Sequence, residues 1–428
     1  MKIKKLYDVI VIGGGASGMF AAGCSAANGA NTLLLERNNN LGKKLSITGK
    51  GRCNITNIGE INDFIDSYGK NGKFLYRAFT KFFNQDLIAF FNNYDVSTKV
   101  ERGGRVFPVS DDSESIVNIL RKYIKTNKVT LGLNLRVREI MITDNKTGEN
   151  KFGKYKVKGI RLFERKEVIK TDKVILATGG LSYPRTGSTG DGYEMAGKLG
   201  HTIVPLKPAL VPLETKEDFV KDLQGLALKN VSVTVFANGR KIDWEFGEML
   251  FTHFGISGPV ILKMSGLVVE HLGKNEEVSV AINFKPALDK KKLIDRFLRE
   301  RKEFGLKSVN NVMKNFLPQR LVPVFLKLAN ISSIKKFKQI THQEKEKMID
   351  LLTNFKLKVT KPRPIDEAVI TRGGISLNEI NPYTMESKKV KGLYFCGEII
   401  DIDGKTGGYN LQMAFSTAFL SAESESNS

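Results

Sequence analysis

The tightest constraint in this sequence is the hexapeptide Gly13-Gly14-Gly15-Ala16-Ser17-Gly18, which fits G-x-G-x-x-G directly after an apolar, β-branched run at 6–12. Small apolar residues at 16–28 then predict a helix packed tightly on a sheet, and 32–35 a second strand. In such a βαβ unit each glycine has a reason. Gly13 permits the tight turn, Gly15 lets backbone approach a pyrophosphate, and Gly18 allows close helix–strand packing. The free amides of Ala16 and Ser17 open the helix, where its dipole favours phosphate charge. Glu36 ends the second strand, where a carboxylate accepts hydrogen bonds from ribose hydroxyls, with Arg37 beside it.

The polar stretch 38–57 predicts a long loop, rich in Gly, Lys, Asn and Thr, and loops of that length in a compact domain are usually functional. Helical patterns follow at 74–83, 86–93 and 113–125, and strand-like runs at 133–142, 155–163 and 173–177. From 201 to 284 short alternating runs, such as 231–236 and 278–282, read as antiparallel β. From 288 to 355 the pattern is helical and basic. A strand at 391–396 and a helix at 408–422 close the chain. The expected fold class is α/β. Both chain ends, 1–193 and 366–428, build a Rossmann-type domain. A β-barrel-like insertion (194–287 and 356–365) carries a small helical cap (288–355).

Two late segments favour FAD over NAD. Ala177-Thr178-Gly179 ends a strand and brings bare backbone close to a ligand, and Gly397-Glu398 ends another. Gly408-Tyr409-Asn410-Leu411 then opens the last helix, whose N-terminus would stabilise the negative charge of a reduced flavin. A simple NAD dehydrogenase has no need of this C-terminal return. No second Rossmann fingerprint is visible, so NAD(P)H is expected as a transient electron donor.

Composition excludes other classes. No run of about 18 apolar residues occurs, so no membrane span is expected, and the N-terminal apolar run reads as a strand, not an export signal. Cys24, Cys53 and Cys396, like the four histidines, are scattered, without metal-ligand or disulfide spacing; a reducing cytoplasm and no metal are expected. Net charge is +22, and residues 285–363 hold 21 Lys/Arg against 7 Asp/Glu. That local excess favours a polyanion such as RNA; the alternative is a solvated face in a chain rich in Lys and Asn throughout.

The run 42–57 (GKKLSITGKGRCNITN), the segment 397–412 and LFTHFGISGP at 250–259 resemble the bacterial BaiN/RdsA flavoproteins, the aminoacetone oxidase-like NAD(P)/FAD-dependent oxidoreductases, over nearly the whole chain. The resemblance implies bound FAD and the three-part fold. It places Lys44, Leu45, Gly51, Arg52 and Asn54 among the candidate cofactor residues. Activities in the family differ: reduction of a uridine in 23S ribosomal RNA to dihydrouridine, reduction of steroid-like enones, and oxidation of aminoacetone. The first is favoured here, through the basic cap; a small-molecule enzyme and a non-catalytic flavin protein are the alternatives. The oligomeric state is not legible. Two residues are candidate acids. Cys53, beside Arg52, would deliver a proton if its loop reaches the flavin; otherwise it is a small buried hydrophobe. His253, in the 250–259 motif, is a candidate acid/base or a structural histidine.

Overall fold

The computed structural model describes residues 3–145, 153–164 and 167–426. Its contacts divide it into two compact units. One comprises the residues up to Lys207 together with those from Val369 on; the other is Pro208–Ala368.

The first unit is built on a five-stranded parallel sheet. Its order is Leu393–Phe395, Lys173–Leu176, Val9–Ile12, Thr32–Glu36, Thr130–Leu133. All four residues of Val9–Ile12 and all five of Thr32–Glu36 are buried, which explains why these strands read as continuous apolar runs. Helix Ala16–Ala27 covers one face and shares a core with the C-terminal helix Tyr409–Ser426; Phe20 meets Phe415 edge to face at 5.3 Å. The sheet order reverses between Val9–Ile12 and Lys173–Leu176, which opens a crevice beyond their carboxyl ends, where open α/β sheets bind ligands.

Three expectations need correction. The stretch 201–284 is not antiparallel β throughout, because Pro259–Gly273 within it forms a helix, with Pro259 in its first turn. The run 133–142 is not one strand. Thr130–Leu133 ends in the parallel sheet, Asn134 turns with φ +55°, and Val137–Asp144 joins an antiparallel sheet with Tyr155–Leu162. The loop 38–57 is also more ordered than its composition predicts. It holds a helical turn, Lys43–Ser46, and a 3-10 turn, Thr48–Gly51.

The second unit contains a closed six-stranded antiparallel barrel: Leu213–Thr215, Gly255–Ser257, Arg240–Thr252, Ala227–Ala237, Val278–Asn283 and Phe355–Pro362. Closure removes the free edges that would otherwise pair with other chains. Between Val278–Asn283 and Phe355–Pro362 the chain forms the cap helices, Lys290–Phe304, Val309–Met313, Val322–Ala329 and His342–Thr353. Asp289 and Thr341 cap the first and last through their side chains. Cap residues such as Phe297, Phe325 and Leu352 belong to the same core as barrel residues Val233, Val280 and Leu357. No helix among the described residues is long and apolar enough to cross a membrane.

Candidate functional site

The glycine turn is forced by close approach. Gly13 has φ +108°, and a Cβ there would lie 2.5 Å from the Ala177 carbonyl oxygen. A Cβ on Gly18 would come within 1.7 Å of the Gly13 carbonyl oxygen, so helix and strand are in backbone contact. Gly15 is different: its φ is −81°, and a Cβ there would meet no protein atom within 4 Å. Its missing side chain leaves room on the cavity side.

That cavity encloses about 1330 Å³, counting its open mouth. Glu36, 8% exposed, stands on its wall, with every charged contact made to backbone or amide N–H groups. Gly14 N donates to Oε2 at 2.7 Å; the Asn38 backbone N and Nδ2 each donate to Oε1 at 2.8 Å. The carboxylate therefore clasps the glycine turn to the end of the second strand, and its remaining lone pairs are left for a ligand. Nearby, Asp191 receives Arg136 through two bonds (2.8 and 2.9 Å) and Arg37 at 3.1 Å. Burial works against its charge, yet hydrogen bonds from Arg136 and Thr189 and the Arg37 charge hold this carboxyl below its ordinary value. Two guanidinium groups thus share one carboxylate on the cavity wall.

A second polar cluster joins four distant segments. Lys44 Nζ donates to Glu398 Oε2 at 2.6 Å and to Ser182 Oγ at 2.7 Å. Glu398 Oε1 accepts from Thr371 N at 2.8 Å and from Ser182 Oγ at 2.9 Å. The lysine and the glutamate both line the cavity and are only 23% and 14% exposed, so they hold one another in place.

Most candidate cofactor residues come together on this wall. Gly13, Gly15, Ala16 and Ser17 meet Glu36 and Arg37 there; Lys44 and Leu45 come from the following loop. Ala177, Thr178 and Gly179 face them across the switch point, with Asn410 and Leu411 from the first turn of the last helix. Gly18, Gly397 and Gly408 lie behind the wall and permit its packing. A Cβ on Gly397 would reach 2.1 Å from Ser17 Oγ, and one on Gly408 2.2 Å from the Thr56 carbonyl oxygen. Tyr409 packs its ring 4.7 Å from Phe64, and Asn410 spends its amide on both backbone groups of Gly404.

The segment 51–54 does not reach the lining. Arg52 is held by Glu101 and Asp111 and lies over the Phe107 ring. It is therefore not available to stabilise a Cys53 thiolate. Cys53 is fully buried, and burial pushes its thiol up to about 12. His253 is exposed in the barrel unit, in the turn between Arg240–Thr252 and Gly255–Ser257, with its ring 4.9 Å from Phe254. Sequence reasoning missed Asn38, Arg136, Ser182 and Thr371. Asn38 carried a local signal, an amide two residues after an acid; the other three carried none. No metal-binding group of His, Cys, Asp or Glu is found among the described residues.

The wall fits a dinucleotide on its own chemistry. The cavity side of Gly15 is open, a helix N-terminus begins there, and the Glu36 carboxylate stands on the same wall. Free helix amides and a carboxylate on one wall match a ligand rich in phosphate and hydroxyl oxygens.

Comparison with known proteins agrees. The model of the HI0933-like protein Rossmann domain matches residues 7–424. The chain is 31% identical to a ribosomal RNA dihydrouridine synthase of Escherichia coli, over 97% of both chains. It is 30% identical to a 3-dehydro-bile acid delta(4,6)-reductase of Clostridium scindens, over 96% of this chain and 97% of the other. Among solved structures, it matches a 3-ketosteroid delta1-dehydrogenase from Sterolibacterium denitrificans with a TM-score of 0.55 at 12% identity, covering 99% of this chain and 100% of that one. A flavocytochrome c3 fumarate reductase gives 0.53 at 16% identity, covering 99% and 78%. These structural likenesses speak to the fold. The chain belongs to the HI0933-like family of Rossmann-fold, flavin-dependent oxidoreductases.

Proposed function

We propose that this protein binds FAD at the glycine-turn cavity and uses it to reduce the uracil C5–C6 bond of a uridine in large-subunit ribosomal RNA, with NAD(P)H as the reductant. Bound FAD supplies a two-electron hydride carrier. The chain's own residues bind and orient it: the amides around Gly15 take the pyrophosphate and Glu36 a ribose. The Lys44–Glu398 ion pair stands on the same wall as Asn410 and Leu411.

The chemistry is common to the dihydrouridine and the bile-acid relatives by name. Each product requires saturation of a carbon–carbon double bond conjugated to a carbonyl. In uracil a hydride adds to C6, negative charge develops toward O4, and a proton must reach C5. Cys53 keeps its proton, since burial pushes its thiol up to about 12, but it lies off the cavity lining. His253 is the exposed alternative.

The observation that carries RNA over a small substrate is the cap surface. Lys291, Arg299, Lys302, Lys314 and Lys336 are exposed, with no ion pair among the described residues. Unpaired surface cations attract phosphates and release counterions on binding. Nucleoside mass spectrometry of large-subunit ribosomal RNA, from cells with and without the gene, tests this reading. Loss of dihydrouridine, restored by purified protein with NAD(P)H, is the expected result. Unchanged RNA would refute it and favour a small enone, the reading that the bile-acid relative supports.

A further inference from the structure

The cap carries a groove that the flavin site does not use. It is lined by helices Lys290–Phe304 and His342–Thr353 and by the turn Phe337–Gln339. Each helix contributes residues three apart, which places them on one face: Leu298 and Arg301 from the first, His342 and Lys345 from the second. The floor is apolar. Phe297, Phe337 and Ile340 line it and are 3%, 2% and 5% exposed, and the two phenyl rings stack with centroids 5.9 Å apart. Leu298 stands at the margin and is 51% exposed. A lone exposed leucine is ordinary, but this one borders a recess that already has a closed apolar floor, and the two together offer a seat for a flat apolar ring.

The rim is cationic, and no acid lines the groove. Arg301 donates from Nη2 to the Lys338 carbonyl at 2.6 Å, a bond that fixes the guanidinium and leaves its other donors for a ligand. Lys345 makes no salt bridge among the described residues. The acids on either side of it in sequence are held by other lysines: Glu344 by Lys335 at 2.7 Å and Glu346 by Lys290 at 2.9 Å. The first amides of the second helix are also occupied, since Thr341 Oγ1 accepts from Glu344 N at 3.2 Å and Glu344 accepts from Thr341 N at 2.8 Å. The attraction for an anion therefore comes from the arginine and the lysine themselves.

An apolar floor under a rim of two cations suits a ligand that is flat and apolar at one end and anionic at the other. The groove encloses about 440 Å³ counting its open mouth, toward the low end of the roughly 300–1,000 Å³ of small-ligand sites. It is also only one helical turn long on each side, too short for the i, i+3, i+4, i+7 anchors of a docked peptide helix. A single nucleotide meets both limits, and unstacked bases of single-stranded RNA are held in this way, by apolar contact to the base and charge at the phosphate. We infer that this groove seats one splayed-out nucleotide of an RNA strand, its base against Leu298 and the floor, its phosphate between Arg301 and Lys345. The inference rests on the RNA reading above and gives the cap a defined contact in place of a diffuse charge.

The test uses the full-length flavin-loaded protein and an oligouridylate of about ten nucleotides carrying one 4-thiouridine, a length within the usual single-strand footprint. Binding is followed by anisotropy of labelled RNA, and the photo-crosslinked residues are mapped by peptide mass spectrometry. We expect adducts in the peptides that carry Leu298 or His342–Lys345. Leu298→Asp should weaken binding about tenfold, the size of one lost base contact. Lys345→Glu should weaken it more than Lys314→Glu, which makes the same charge change on the cap outside the groove. Adducts confined to other surfaces, with equal losses in the two charge variants, would overturn the groove and leave the RNA reading standing. Absence of binding would also overturn the groove, and if dihydrouridine in the ribosomal RNA is unchanged as well, the RNA reading falls with it.

Discussion

Gly15 and Gly18 belong to one motif, yet the structure gives them opposite roles, and alanine at each separates cofactor binding from folding. At Gly15 the backbone is extended, with φ −81°, and an added Cβ meets no protein atom within 4 Å. Gly15→Ala should therefore change the stability of the cofactor-free protein by well under about 1 kcal/mol: a small loss because alanine is a poorer N-cap, offset by reduced freedom of the unfolded chain. Its methyl would instead stand where the pyrophosphate approaches. Losing one charge-assisted hydrogen bond to a phosphate costs roughly 1.5–3 kcal/mol, so FAD affinity should fall about ten- to a hundredfold. At Gly18 the Cβ would sit 1.7 Å from the Gly13 carbonyl oxygen, about half an ordinary contact distance, and the neighbour is backbone. Gly18→Ala must push the helix off the strand, at a cost of about 3 kcal/mol or more, as for severe overpacking. The assay is denaturant unfolding of the deflavinated proteins beside FAD titration by flavin fluorescence. Wild-type FAD affinity in Gly15→Ala, or a large loss of its cofactor-free stability, would refute the assignment of Gly15 as the phosphate cradle.

Further outcomes follow from burial and charge. The three cysteines are buried, and desolvation raises all three thiols, Cys24 and Cys53 to about 12; iodoacetamide at about pH 8 should leave all three unlabelled in the folded protein and label them only after denaturation, and rapid labelling of native Cys53 would contradict its placement. His201 is buried, bonded to Ser387 at 2.8 Å, and burial lowers its affinity for a proton in spite of nearby Glu379. Between its depressed folded pKa and the unfolded value of about 6.5, the unfolded state binds more protons; its contribution to stability is therefore full above about pH 6.5 and lost as pH falls below it. Urea unfolding should show that decline in the wild type and a shallower one in His201→Gln; equal slopes would exclude His201 as its source. Replacing Lys291, Lys302 and Lys336 together by alanine should weaken RNA binding and lower its salt dependence by about one unit of slope for each phosphate no longer neutralised, with FAD binding unchanged; an unaltered slope would remove the cap from the RNA surface.

The sequence by itself determined the dinucleotide half of the site, because its determinants are local. A strand period, three glycines at fixed offsets, a helix start and an acid at the end of the next strand all lie within 36 residues, where neighbours in sequence are neighbours in space. The alternation of 231–236 and 278–282 likewise marks antiparallel β, since period two is a property of the strand itself. The tertiary structure alone decided which distant side chains meet. Lys44, Ser182, Thr371 and Glu398 form one cluster only because the strand crossovers return four segments to one wall. The same holds for Arg136, which reaches Asp191 from the strand that leaves the parallel sheet at Asn134. Arg52 and Cys53 show the reverse: adjacency suggested a charged partner for the thiol, but Glu101 and Asp111, brought close by folding, bind the guanidinium, and the thiol goes into the core. In the barrel, closure fixes the inner face by filling it with valines such as Val233, Val235 and Val280, and leaves Trp244 54% exposed.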